Sequence, residues 1–173
     1  MAEELTLAER RAQLVGLSEK GEAAPRASRR PPASGRDFRA EEPGTIVIET
    51  GKRVLHYVGM DGEVVTYPIA VGREGAQWRG TTRVIGKKKD PEWRPTPNMR
   101  KRNPKLPAVV RPGPSNPLGV RAIYLAEGYL RIHGTNDPSS IGKAVSSGCF
   151  RMHNEDVIEL FPLVESGAKV VVM

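Results

Sequence analysis

The pattern of apolar and polar positions changes character near residue 44. Beyond that point, β-branched and apolar residues come in short runs separated by turn residues. Thr45 to Thr50 is such a run, Gly51-Lys52 makes a turn, and Arg53 to Val58 alternates with period two. Met60-Asp61-Gly62 carries the Asp-Gly hairpin signal. Glu63 to Val71 then reads as a third strand, with Pro68 placing it near an edge. These three strands predict an antiparallel meander. Ala122–Leu125 and Tyr129–Ile132 predict a hairpin turning at Glu127-Gly128, and Lys169 to Met173 a last apolar strand. A short helical piece is expected around Ser139–Ala144. Asn154 is placed to cap a helix, with Glu155 and Asp156 in its first turn and an end near Phe161, where Pro162 follows.

Ahead of residue 44 the pattern is different. Leu7 to Leu17 can form one short amphipathic helix, with Arg10 and Arg11 on its wet side. Gly21 to Pro43 is rich in Ala, Pro, Ser, Arg and Glu and reads as a flexible linker, because it offers little apolar surface to offset ordering entropy. The chain therefore divides into an N-terminal segment and Pro/Ala/Arg-rich linker, 1–43, and a β domain, 44–173. An apolar signal core is missing after Met1, which leaves a cytoplasmic protein or one whose leader was removed upstream.

Composition narrows this picture. With 173 residues the chain suits one domain and a tail, and 33 of them are Gly or Pro, which favours turns and strands over long helices. The longest apolar runs fall well short of the roughly 18 residues of a membrane-spanning helix. The net charge of +7 is concentrated. Residues 79–111 hold eleven Lys and Arg against Asp90 and Glu92, a local net charge of +9. Eight prolines between 91 and 117 argue against a helix or central strand there. The stretch is thus expected to be a long loop that holds cations outward over a cleft and attracts anionic polymer. Its aromatics, Trp93 with Trp78 nearby, are too few and irregular for single-stranded nucleic acid, so no nucleic-acid partner is expected.

One cysteine excludes an intrachain disulfide and a cysteine-rich zinc site. That residue, Cys149, follows Gly148, precedes Arg151 by two positions, and comes sixteen residues after His133. A thiol becomes nucleophilic as thiolate, and an imidazole can take its proton. Gly148 permits a sharp turn whose amides could bind an oxyanion, and Arg151 suits a carboxylate. The plainer readings also stand at this point: a lone Cys is most often a small buried hydrophobe, and a strand-end His is most often structural. Zinc on His133, Cys149 and His153 lacks a fourth ligand of suitable spacing, so no metal is expected.

His133-Gly134-Thr135 followed by Ser146-Ser147-Gly148-Cys149-Phe150-Arg151-Met152 resembles the active-site signature of L,D-transpeptidase (YkuD-type) catalytic domains. Four further blocks, Tyr67–Gly72, Trp93–Pro97, Asn116–Gly119 and Ile141-Gly142, resemble the Gram-negative form of that family in the same order. The resemblance implies a mainly β domain, a twisted sandwich or open barrel with a short helical insertion and one C-terminal helix. It implies a cysteine acyltransferase that acts on peptidoglycan stem peptides in the periplasm, without a cofactor. By position, Cys149 would be the nucleophile and His133 the base, oriented by the carbonyl of Gly134. Ser147, Gly148 and Cys149 would form the oxyanion hole, and Arg151 would hold a substrate carboxylate. Ser147 departs from the many relatives that carry His there. The acceptor would be a second stem peptide, a protein amine, a D-amino acid or, in a trimming enzyme, water. A sortase-like enzyme needs a longer His-to-Cys spacing, and a non-catalytic module binding acidic wall polymer through 79–111 is the rival of a different class.

Overall fold

The computed structural model describes residues 37–173. The helix expected over Leu7–Leu17 and most of the expected linker lie outside these residues. Nine strands form one sheet: β1 (Ile46–Glu49), β2 (Val54–Val58), β3 (Val64–Gly72), β4 (Gly80–Lys89), β5 (Arg121–Leu125), β6 (Arg131–His133), β7 (Ala144–Ser146), β8 (Phe150–Met152) and β9 (Lys169–Val172). Two α-helices, α1 (Pro97–Arg102) and α2 (Asn154–Leu160), and two 3-10 turns, Phe38–Ala40 and Pro138–Ser140, complete the described part. The strand order is β2-β1-β9-β4-β5-β6-β8-β3, and β3 pairs back onto β2, so eight strands close into a ring with β7 appended to β3. The domain is mainly β, as its sequence pattern indicates. Among the described residues no helix is long and apolar enough to cross a membrane.

The meander and the hairpin form where the alternation places them. β1 pairs antiparallel with β2, β2 with β3, and β5 with β6. Side chains alternate across a strand. Ile46 and Ile48 therefore enter the barrel core with Leu55, Tyr67, Ile123, Ile132 and Phe150. Val47 points the other way, under Phe38 and beside Val58. Packing thus reaches back to Phe38, whose ring stacks on His56 at 4.3 Å between centroids. Burying each such aliphatic side chain contributes about 1.5–3 kcal/mol. The helix α2 adds Val157 and Leu160 to the same core. It is tied there by two buried tyrosines: Tyr67 donates to Glu159 Oε1 at 2.9 Å, and Tyr57 donates to Leu163 O just beyond the helix at 2.9 Å.

Two expectations need correction. Strand β3 does not lie at an edge; it runs between β2 and β8. Pro68 falls where β3 passes from one partner to the other, opposite Val54, and the next residue, Ile69, already pairs with Met152. Its missing N–H is tolerated at that exchange. The basic stretch 79–111 is not one loop. Residues 80–89 are the longest strand, paired with β9 through Arg83 and with β5 from Val84 onward. Thr82 and Val84 face inward, but the run Lys87-Lys88-Lys89 hides that period in the sequence. Lysine stems can lie along a sheet while their charges stay wet.

The proline-rich part does leave the sheet, but against expectation it holds the short helix α1, where Pro97 sits in the first turn and its missing N–H costs no helical bond; a single side chain organises the rest. Prolines supply no N–H, so nearby carbonyls need other donors. The buried Asn116 side chain donates to Pro91 O at 2.8 Å and to Val110 O and Arg111 O at 3.2 Å. Its Oδ1 accepts from Leu118 N at 2.8 Å, and a bridge between Trp93 and Val110 closes the base of the loop.

Lys87 is not a free surface cation. Its Nζ donates to Phe161 O at 2.8 Å and Val164 O at 2.7 Å, and lies 4.7 Å over the Phe161 ring. These carbonyls follow α2, where a cation also suits the helix dipole. Lys87→Ala should lower stability by about 1 kcal/mol in urea denaturation, whereas Lys88→Ala should change it by less than about 0.5 kcal/mol. Equal losses would place Lys87 among the solvated lysines.

Candidate active site

The connection from β6 to β8 brings the two distant motifs together. β6 and β8 are parallel neighbours, with Ile132 opposite Phe150 and His133 opposite Arg151. The sixteen-residue excursion between them carries the 3-10 turn and β7, which pairs parallel with β3. Ile132, Phe150 and Met152 point into the core. By alternation, Arg131 and His133 on one strand and Cys149 and Arg151 on the other share the opposite face. One register step before Ile132–Phe150 sets Arg131 beside Cys149, and the Arg131 backbone amide reaches the thiol.

His133 is 5% exposed, and its Nδ1 lies 2.5 Å from Gly134 O. A carbonyl oxygen only accepts, so Nδ1 carries the proton and Nε2 keeps its lone pair. Burial pushes the imidazole down to about 4, opposed by the Gly134 carbonyl and reinforced by the Arg151 and Arg131 guanidinium groups. The ring is therefore neutral across the physiological range. Its folded value lies below the ordinary 6.5, so stability is complete above that pH and falls as pH drops toward 4.

Cys149 is partly exposed, and its Sγ–H donates to Tyr129 O at 3.3 Å. Burial of the sulfur raises its pKa, while the Arg131 charge, the Arg131 amide and the Arg151 charge pull it down by successively smaller amounts. Both shifts favour the neutral forms, thiol and imidazole, over the thiolate–imidazolium ion pair that sequence reasoning alone allows.

The sulfur opens on a cleft of about 250 Å³, bounded by Trp93, Met99 and Arg102 on one side and Tyr129 and Arg131 on the other. The second half of the proline-rich basic segment, including α1, therefore flanks Cys149. Helix α1 starts with Thr96 accepting from Met99 N at 3.3 Å, and Pro97 sits in its first turn. Among the described residues no group of three or more His, Cys, Asp and Glu is placed to hold a metal.

Not every expected role fits the positions found. The Gly148 amide, expected to face an oxyanion, donates instead to Ser146 Oγ at 3.1 Å, while that hydroxyl donates to Cys149 O at 2.6 Å. Gly148 itself has φ of +133°, and a Cβ there would meet Ala76 O at 3.0 Å, so the turn before Cys149 requires glycine. Ser147 is exposed, with the Arg73 guanidinium 3.5 Å from its Oγ. Asn154 does not cap α2; the N-cap residue is His153. The Asn154 side chain turns back to the His133–Thr135 segment, accepting from Thr135 N at 3.0 Å and donating to Thr135 O at 2.9 Å. Arg131, Tyr129 and Asn154 were not singled out as site residues from the sequence. Arg131 was legible in principle, since it lies two residues before His133 on the same strand face.

The L,D-transpeptidase catalytic domain family matches residues 43–172. The chain belongs to this family. It is 41% identical over 134 residues to the probable L,D-transpeptidase ErfK/SrfK of Escherichia coli K12, covering 72% of this chain and 42% of that protein. It is 39% identical over 135 residues to the probable L,D-transpeptidase YbiS of the same strain, covering 73% of this chain and 43% of that protein. The chain thus spans less than half the length of these relatives. Its fold is that of the catalytic domain of an Enterococcus faecium L,D-transpeptidase acylated by ertapenem, with a TM-score of 0.57, 21% identity, and coverage of 75% of this chain and 95% of that domain. L,D-transpeptidase 3 of Mycobacterium tuberculosis superposes with a TM-score of 0.54 at 16% identity, covering 75% of this chain and 60% of that one.

The order of the electrostatic contributions separates the two arginines of this L,D-transpeptidase domain. Arg131→Gln should raise the pH at which Cys149 becomes reactive toward iodoacetamide, and Arg151→Gln should raise it less. A larger shift from Arg151 would contradict the arrangement around the sulfur.

Proposed function

We propose that the protein is a peptidoglycan L,D-transpeptidase in which Cys149 is the nucleophile and His133 the general base, with 44–173 as the catalytic unit. The observation that carries this reading is the bond from His133 Nδ1 to Gly134 O, on a strand neighbouring the one that follows Cys149. That bond leaves Nε2 as the free basic atom on the face shared with the sulfur.

The reaction runs in two halves. Cys149 Sγ attacks the amide carbonyl between the L-centre of the diamino acid at stem position three and D-Ala at position four. Its proton passes to His133 Nε2, so the pair, neutral at rest, becomes charged only as the C–S bond forms. Placing the transfer within the attack suits a thiol whose pKa burial has raised and an imidazole whose pKa burial has lowered. The amide at Cys149, with that of Ser147, faces the oxyanion, since the Gly148 amide is held by Ser146. The C–N bond breaks, His133 returns its proton to the departing D-Ala amine, and a thioester remains. An amine from a second stem peptide, a protein or a D-amino acid then attacks the thioester, giving its proton to His133, and the thiol is regenerated.

The arginines divide the anionic substrate between them. Arg131 lines the cleft beside the sulfur and takes the carboxylate nearest the scissile bond. Arg151, one strand over from His133, holds a more distant one. Such groups suit the periplasm, where stem peptides are found, and a chain with no second thiol avoids an intrachain disulfide there.

Incubated with a tetrapeptide stem and no acceptor, the protein should gain the mass of the stem less D-Ala, and Cys149→Ala should gain nothing. A carbapenem should add its own mass at the same residue. Turnover by Cys149→Ala would overturn the cysteine mechanism. His133→Ala should slow acylation by roughly 10²-fold or more, whereas His153→Ala should change it little; equal effects would mean that the wrong imidazole has been assigned. Because His133 protonates only near 4, acylation by the parent protein should persist through mildly acidic pH and fall as pH approaches that value.

A further inference from the structure

The bond that fixes the His133 tautomer is only as firm as the Gly134 peptide that accepts it. Gly134 follows the last residue of β6, where the ladder ends and the chain turns away. Its own amide is held by Arg121 O at 3.1 Å. Its carbonyl belongs to the peptide linking Gly134 to Thr135, and the N–H of that same peptide donates to Asn154 Oδ1 at 3.0 Å. Asn154 Nδ2 then donates to Thr135 O at 2.9 Å, so one side chain grips two successive peptides.

The surroundings are shaped to let this side chain in. A Cβ at Gly134 would collide with Asn154 Oδ1, and so would a Cβ at Gly119. Gly119 also has φ of +63° and ends the Asn116–Gly119 turn, whose backbone lies against the Gly134–Thr135 peptide. Two glycines from different segments thus leave room for one carboxamide. Asn154 reaches it because it begins α2, and α2 is anchored to the barrel through Tyr67 and Glu159.

We infer that Asn154 is a positioning residue for the proposed reaction: by holding the Gly134–Thr135 peptide it aims Gly134 O at His133 Nδ1 and so directs Nε2 toward Cys149. The inference rests on His133 being the base. Asn154 touches neither the sulfur nor the substrate cleft, so its effect must pass through His133. Rotation of the peptide would point the Gly134 carbonyl away and release the ring to other tautomers and rotamers.

The test is a double-mutant cycle on Cys149 alkylation by iodoacetamide at neutral pH, in the full chain, with circular dichroism confirming the fold of each variant. Asn154→Ala should slow alkylation about tenfold, the loss expected when a reacting group is misaimed. In the His133→Ala background, Asn154→Ala should cause no further slowing. Asn154→Asp keeps the volume and the acceptor for Thr135 N–H but sets oxygen against Thr135 O. It should show the same dependence on His133, and it carries the comparison if the alanine variant does not fold. Equal slowing in both backgrounds, or an unchanged rate in the folded Asn154 variants while His133→Ala is slow, would overturn the positioning role alone. A full rate in His133→Ala would overturn the assignment of the base, and with it this inference.

Discussion

A hydrogen bond between two adjacent residues, His133 Nδ1 to Gly134 O, is the constraint on which the site depends. It decides which ring nitrogen is basic, and it does so without a carboxylate partner. A carboxylate would stabilise the imidazolium and raise its pKa. A carbonyl orients the ring with much less charge, so burial prevails and the imidazole stays neutral. The barrel then brings Cys149 to the same face by register: parallel pairing of β6 with β8 sets the residue before Phe150 beside the residue before Ile132.

The same register fixes the electrostatics. Arg131 and Arg151 stand on the face that carries Cys149 and His133, and their charges act in the same direction on the two groups. Both lower the thiol and both lower the imidazole, each favouring the form with less positive charge. Arg131 has the larger effect at the sulfur and Arg151 the larger effect at the ring. Burial opposes them at the thiol and exceeds them, so the net effect raises the thiol and favours its protonated form. For the proposed reaction, a site of this kind needs little charge separation at rest and little solvent reorganisation in attack.

Much of this was legible in the chain, for identifiable reasons. The meander and the hairpin were visible because alternation and turn residues coincide at Asp61-Gly62 and Glu127-Gly128. His133 and Cys149 stood out because their motifs are local. Strand β4 was hidden because three successive lysines carry no period-two signal, although Thr82 and Val84 inside it do. Asn154 was legible as a residue suited to helix starts, but a side chain that prefers to bond free backbone groups can choose any such group in reach. Here the free peptide at the end of β6 took it, which is a tertiary fact. The closed ring, and the insertion of β9 between β1 and β4, depend equally on pairings between segments far apart in sequence.

The ordering of the proline-rich segment has the same origin. Its prolines announce a departure from the sheet, yet they do not say what replaces the missing ladder. Asn116 supplies it, binding carbonyls on both arms of the loop from a buried position. The loop so fixed sets Trp93, Met99 and Arg102 against the cleft beside Cys149.

The most direct test is nitrogen-15 NMR of the histidine rings of the resting protein through a pH titration. His133 should appear as the Nδ1–H tautomer at neutral pH, with a protected ring proton, and should titrate near 4. A ring protonated on Nε2 at neutral pH, or one that titrates at the ordinary 6.5, would contradict the buried, carbonyl-oriented imidazole on which the proposed role of His133 rests.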